Sequence, residues 1–398
     1  MIRNKIIRKW HLVQTLIQFI LAICITILNS RYASKNNLKS SLIISLVVLL
    51  LTGLQFTLLK TTAKHKKLMQ LNFYFECCII PFTLQTILSG ILICIKKSHV
   101  LNLDFCIVIA MLYSLIMYLP MTQLALARIK NFWGRILISI IIYFLVLSAP
   151  TVFNSSTSNW LTKISNSGIL GTISFAIIAL FAMKSWGYKL SIFKVNSKVS
   201  LIPMILIITF IIYHCSFNGF NESSSWNNFL TSWSFKIPYL KWNFILGGIQ
   251  AGIGEEFLLR FVILNLSLQL FKTKKNQIVI ALFFNALTFG LLHLTNLSTQ
   301  SFNATIQQAL SAATSGIVYA AIYLYTGSLL ISIIYHTLFD ISGFTTAGTM
   351  IMTAPANYDW QLTLFFAIIY FALAYFLISG KRKKVVEDNL RQHGLLAV

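Results

Sequence analysis

An all-α fold that crosses a lipid bilayer about twelve times is what the sequence predicts, and three observations carry that prediction. Only 10% of the 398 residues are charged while 57% are hydrophobic, and mean hydropathy is +0.76; a water-exposed surface needs far more charge than this. The apolar residues come in runs near ~20 residues, the length a helix needs to cross a ~30 Å hydrocarbon core. The Lys and Arg residues sit in short segments between those runs. The net charge of +23 is therefore distributed as in a membrane protein and not as in a nucleic-acid binder.

The runs fall at 10–29, 41–59, 71–95, 101–127, 136–153, 167–183, 200–217, 242–271, 277–295, 303–325, 328–346 and 361–379. The first reads as a span and not as a cleaved signal, because it is long, lacks a small-residue cleavage site and has basic residues at both ends. Glu76 and Pro81 interrupt the third run, and the eleventh is short. Glu76, Asp104 and His214 lie near span ends or beside loops, where snorkelling or capping is the plain reading. The polar stretch 218–235, NGFNESSSWNNFLTSWSF, separates seven spans with few internal charges from a charged remainder. It divides the chain into an N-terminal seven-helix region, 1–217, a C-terminal region, 218–380, and a basic tail, 381–398. The six cysteines lie in or beside apolar runs, and the adjacent pair Cys77–Cys78 fits no zinc spacing, so they read as small buried hydrophobes.

Orientation follows from counting. With the N-terminus cytoplasmic, 23 of the 32 Lys and Arg residues lie in inside segments and 8 in outside loops, with Arg260 alone within a span. Positive charge accumulates on the cytoplasmic side of membrane proteins, so both termini are expected inside and the span count is expected to be even.

The later spans hold polar groups that do not belong in lipid. An ionisable group at mid-span costs ~2.5–3.5 kcal/mol on insertion scales and marks a function by default. The eighth span carries Glu255, Glu256 and Arg260 in GIGEEFLLRF; the ninth ends FGLLH with Phe289 and His293; the eleventh carries HTLFD with His336 and Asp340. Glu256 and Arg260 are four apart, share a helix face and can pair, which leaves Glu255 about 100° away and free to act. His336 and Asp340 repeat the spacing, so Asp340 is placed to hold the imidazole tautomer. Phe289 and His293 repeat it again. Taken singly, a membrane His is often a packing residue, and a Glu–Arg pair often only pins two helices. Three such patches on three spans, each at helical spacing, shift the weight to a shared site. The small-residue series Gly248/Gly252 and Ala312/Gly316/Ala320 read as helix-contact surfaces around it.

EEFLLR, FGLLH and HTLFD match EExxxR, FxxxH and HxxxN/D. In this order they resemble the CPBP family, which includes CAAX prenyl proteases and bacteriocin-processing or immunity proteins (the Abi family). The resemblance covers roughly residues 200–380 and leaves 1–199 without a role. It implies an intramembrane endopeptidase in which Glu255 and His293 activate water and His336 and Asp340 complete the site. Whether a metal takes part stays open. Zn²⁺ held by Glu255, His293 and His336 would keep an open water position; a metal-free site would use Glu255 as base and a side-chain donor for the oxyanion. An ionised Asp cannot donate a hydrogen bond, so Asp340 favours an orienting or ligand role and hence the metal-assisted form. The Ile-, Lys- and Asn-rich composition suggests an AT-rich bacterial genome. The expected setting is a bacterial cytoplasmic membrane, with a small peptide or membrane protein as substrate, in bacteriocin immunity or maturation or in envelope regulation. A non-catalytic scaffold that keeps the fold is the rival reading. A twelve-span transporter ranks below both, since no inverted repeat is visible.

Overall fold

The computed structural model describes residues 2–32, 38–59, 66–99, 101–147, 158–189 and 191–396. Among them the regular structure is helical, with a single isolated bridge between Asn221 and Trp233 and no β-strand. The chain divides into two compact units, Met1–Gly187 and Tyr188–Val398.

The first unit contains α1 (Ile2–Tyr32), α2 (Leu38–Leu54, continued by a 3₁₀ turn over Gln55–Leu59), α3 (Lys66–Ser98), α4 (Leu103–Ser114), α5 (Leu119–Leu124), α6 (Phe132–Leu147), α7 (Asn159–Asn166) and α8 (Ile169–Ser185). Its outward faces are aliphatic, as lipid contact requires: Ile17, Ile20, Leu50 and Leu112 are all exposed. The interior is mixed. His11, Gln14, Thr15 and Gln18 are buried, and their spacing puts them on one face of α1. A His11 ring nitrogen lies 3.0 Å from the carbonyl oxygen of Gln55, the Gln55 amide donates to Thr83 at 2.6 Å, and Gln14 donates to the Met117 carbonyl at 3.1 Å. Glu76 corrects the expectation of a snorkelling residue. It lies inside α3 with no exposure and accepts from the Thr57 hydroxyl at 3.0 Å. Asp104 does sit in the first turn of a helix, α4, where a negative charge is favourable.

The second unit contains α9 (Leu201–Phe220), α10 (Trp242–Glu256), a π-helical turn (Phe257–Leu264), α11 (Asn265–Leu270), α12 (Gln277–His293), α13 (Phe302–Thr326), α14 (Leu329–Ala347), α15 (Asn357–Ile378) and α16 (Gly380–Gln392). The long helix α13 is central and packs against α12, α14, α15 and α16. The small residues set how closely the helices approach. A Cβ on Gly248 would come within 2.6 Å of Ile341, and one on Gly252 would collide with Thr337, so α10 lies tight against α14. Gly316 lets α13 close on Phe289 and Arg260. Helix α9 packs against α14 and lies in the second compact unit, which begins at Tyr188, ahead of the polar stretch 218–235. The segment 381–398, expected as a tail, is helical through Gln392 and docked: Asn389 donates to the carbonyls of Leu324 and Tyr325 at 2.9 and 3.0 Å, and Lys198 pairs with Asp388 at 2.7 Å.

By length and composition, nine helices among the described residues can cross a membrane, or ten if the bent pair Asn159–Asn166 and Ile169–Ser185 counts as one span. Besides the bent pair, which answers to the expected span 167–183, two of the twelve expected spans fall short of that standard. Helix α6 has 16 residues, and its expected continuation to 153 lies outside the described residues. The eighth span, 242–271, carries Glu255, Glu256 and Arg260 and so is not uniformly apolar.

Candidate active site

The EEFLLR segment straddles the end of α10 and the π-helical turn, a rare element that often occurs at functional sites. Arg260 and Glu256 are both fully buried, and Arg260 Nη1 lies 3.0 Å from Glu256 Oε1. The guanidinium also donates to the Gly316 carbonyl at 3.2 Å and lies between the rings of Phe289 and Tyr319, 4.7 and 5.0 Å from their centroids. A buried cation held by a carboxylate, a carbonyl and two aromatic faces keeps the compensation that burial demands.

Glu256 Oε1 has a second partner. His336 Nδ1 lies 2.9 Å away, so the Nδ1–H donates to Glu256. Asp340 was the residue expected to hold this tautomer, and the structure gives that position to Glu256 from another helix. Asp340 instead lies on the far side of the ring. His336 Nε2 is 3.7 Å from Asp340 Oδ2 and also 3.7 Å from Glu255 Oε2. Tyr319 stacks on the imidazole with ring centroids 5.1 Å apart and 17° between planes. Nε2 therefore looks into a gap flanked by two half-buried carboxylates.

His293 reaches the same neighbourhood through Phe289. Its Nδ1 lies 3.0 Å from the Phe289 carbonyl oxygen, so Nδ1–H donates there and Nε2 is left as an acceptor. The Phe289 ring touches both imidazoles edge-on, at 4.8 Å from His293 and 5.9 Å from His336. His293, His336 and Asp340 line one cavity of about 730 Å³. The tight cluster is thus Glu255, Glu256, Arg260, His336 and Asp340, with His293 across the cavity wall formed by Phe289. Among the described residues, no three His, Cys, Asp or Glu side chains are gathered closely enough to hold a metal ion, so Glu255, His293 and His336 do not form a ready cage for Zn²⁺.

The cavity is also shaped by residues outside the three motifs, His214 and Tyr370 among them. His214, expected at a span end, is buried in α9. Its Nδ1 and Nε2 lie 2.7 and 2.6 Å from the hydroxyls of Tyr335 and Tyr370, and its ring stacks between Phe210 and Phe339. A neutral imidazole can satisfy both hydroxyls, donating to one and accepting from the other. Tyr335 in turn packs against Tyr319, the ring that covers His336, at 4.5 Å. The partners of His214 lie 121 and 156 residues away in the chain, so no local spacing points to them; the signal available was the scarcity of histidine inside apolar runs.

The family model described as type II CAAX prenyl endopeptidase Rce1-like matches residues 237–342. The match covers 106 of the 398 residues. All six candidate residues, from Glu255 to Asp340, fall within it, in agreement with the resemblance to the CPBP family. The segment 237–342 is therefore similar to a family of CAAX-type intramembrane proteases, and the multi-pass helical fold suits such a protein. No curated protein and no solved structure matches the chain.

Proposed function

We propose that the protein is an intramembrane endopeptidase that hydrolyses a peptide bond with Glu255 as general base. The observation that supports this most is the convergence of Glu255 Oε2 and Asp340 Oδ2 on His336 Nε2, each 3.7 Å away, with the opposite ring nitrogen pinned by Glu256. Two carboxylates around an imidazole anchored from behind support an acid–base role over a packing role.

Every step is carried by the chain's own groups. Glu255, with 24% of its side chain exposed, takes a proton from a water held beside His336 Nε2. His293 Nε2, an acceptor because Nδ1–H is committed to Phe289, orients that water. As the carbonyl carbon becomes tetrahedral, negative charge grows on its oxygen. His336 in its imidazolium form donates Nε2–H to that oxygen, and Glu256 and Asp340 compensate the ring's positive charge. The proton held by Glu255 then passes to the leaving amine. Zn²⁺ on Glu255, His293 and His336 is a different form of the same proposal and would supply a Lewis acid; it needs side chains drawn closer than they stand.

The proposed setting is a bacterial cytoplasmic membrane, with a small peptide or a membrane protein as substrate, in bacteriocin immunity or maturation or in envelope regulation. The test is cleavage by purified protein in lipid nanodiscs. Glu255→Gln keeps the shape but cannot accept the proton, so cleavage should fall by ~10²–10⁴-fold with an unchanged melting temperature. His293→Ala and His336→Ala should be equally inactive at normal membrane levels. Retained cleavage in all three would overturn these residue roles, and no cleavage by the wild-type protein would favour a non-catalytic scaffold. Loss of wild-type cleavage on chelation, restored by Zn²⁺, would favour the metal form.

A further inference from the structure

The cavity beside His336 has a chemical bias that the catalytic groups alone do not require. We infer that it takes a peptide segment rich in hydrogen-bond donors and positive charge, and disfavours a segment that brings a carboxylate. This deepens the protease reading and rests on it.

The first argument is charge. The chain holds 32 Lys and Arg against 9 Asp and Glu. The cavity reverses that ratio: its lining includes Asp340 and Asp359 and no Lys or Arg. Glu255 and Glu256 lie behind the same wall, within 3.7 and 2.9 Å of His336. The cation at that wall, Arg260, has no exposed surface and is engaged with Glu256 and Gly316, so it cannot reach a guest. The His336 imidazolium is already compensated by Glu256 and Asp340, so a carboxylate entering here would find no free counter-ion, whereas an ammonium or guanidinium would find Asp359 as its complement.

The second argument is independent of charge and concerns which hydrogen-bonding capacity is left over. Thr314, Thr346 and Thr363 each donate their hydroxyl to the carbonyl four residues back, of Leu310, Ser342 and Asp359. Ser315 donates to the Ala312 carbonyl, and the amides of Asn218 and Gln307 donate to the Phe339 carbonyl and to Thr363. All six line the cavity. The four hydroxyls have spent their one donor on the protein itself and retain acceptor lone pairs, while Asn218 and Gln307 each keep an acceptor oxygen and one amide hydrogen. Gln308 runs the other way, since its oxygen accepts from Asn296 and its amide hydrogens remain. Among the threonine and serine hydroxyls whose bonds are described, Thr314, Ser315, Thr346 and Thr363 thus face a guest as acceptors. The complement of such a wall is a peptide carrying Lys or Arg, whose heads offer three and five donors and no acceptor. At about 730 Å³ the cavity lies within the ~300–1,000 Å³ range of ligand sites.

The protein's overall charge of +23 makes the test sharp, because nonspecific attraction would favour acidic peptides. Four quenched fluorescent peptides share one length and differ around the central bonds: Lys/Arg, Ser/Asn, Asp/Glu, and a farnesylated CAAX sequence. The expected result is cleavage of the Lys/Arg peptide with kcat/KM at least ten-fold above the Asp/Glu peptide. Asp359→Asn, which keeps the acceptor that caps Ala356 N–H at 2.7 Å, should narrow that ratio through KM. Equal or faster cleavage of the acidic or farnesylated peptide overturns the inference and leaves the protease reading intact. If no peptide is cleaved, the protease reading fails, and binding of the same labelled peptides to Glu255→Gln protein decides the rest. Ten-fold tighter binding of the Lys/Arg peptide in 150 mM salt upholds the cavity's preference; equal or weaker binding removes it.

Discussion

Glu256 Oε1 serves Arg260 at 3.0 Å and His336 Nδ1 at 2.9 Å, so one oxygen links the structural ion pair to the proposed catalytic ring. Removing the arginine strands a buried carboxylate and also frees the histidine's anchor. Breaking a buried pair from one side costs ~3–5 kcal/mol, and Arg260→Ala should lower the melting temperature and membrane yield by more than Glu255→Gln does. Thermal unfolding of the two variants in the same detergent checks this, and an Arg260→Ala protein as stable as wild type would show that the pair is solvated. At this scale the sequence was legible where contacts are local. The four-residue spacing of Glu256 and Arg260 announces their pairing, and the spacing of Phe289 and His293 announces the aromatic wall. The link from His336 to Glu256 spans 80 residues and no periodicity encodes it. The same spacing argument therefore chose Asp340, the acid one turn away, over the acid on another helix.

The contact between α10 and α14 positions both halves of the site, since Glu255 and Glu256 end the first helix and His336 and Asp340 lie on the second. Glycine makes that contact possible. A Cβ on Gly252 would collide with the Thr337 hydroxyl and come within 2.8 Å of the Thr337 backbone nitrogen. Backbone cannot move aside as a flexible side chain can, so the helices must separate. Gly252→Ala should cost about 1–3 kcal/mol, as overpacking does, and should reduce cleavage more than this loss of stability alone explains. Activity measured well below the variant's own melting temperature separates the two effects; unchanged activity there would mean that the site does not depend on helix spacing. The small-residue pattern behind this contact was readable in the sequence. The π-helical turn over Phe257–Leu264 was not, because a switch in backbone hydrogen bonding leaves no mark on an apolar run.

For the whole chain, the positive-inside count expects the N-terminus and the C-terminal helix α16 on the cytoplasmic side. Reporter fusions active only in the cytoplasm or only outside it should place both ends inside; opposite sides would require an odd number of crossings. The all-helical membrane class was legible because composition alone excludes a soluble surface. The number of crossings was not, since the 16-residue α6 and the 50° break between α7 and α8 are features of length and bending that an apolar run does not display.

The buried polar face of α1 has a consequence for how the protein is made. This helix leaves the ribosome before the segments that satisfy it, with His11, Gln14, Thr15 and Gln18 along one side. The contacts from His11 to Gln55 and from Gln14 to Met117 span 44 and 103 residues. At a synthesis rate of ~5–20 residues per second, Met117 follows Gln14 by about 5–20 s. Released into lipid alone, α1 would expose that side to hydrocarbon, where unsatisfied polar groups are costly. It is expected to stay beside the insertion machinery until its partners arrive. A photo-crosslinker at position 14 in arrested nascent chains should report contact with that machinery until Met117 has emerged, and early loss of the crosslink would show that α1 enters the bilayer unaccompanied.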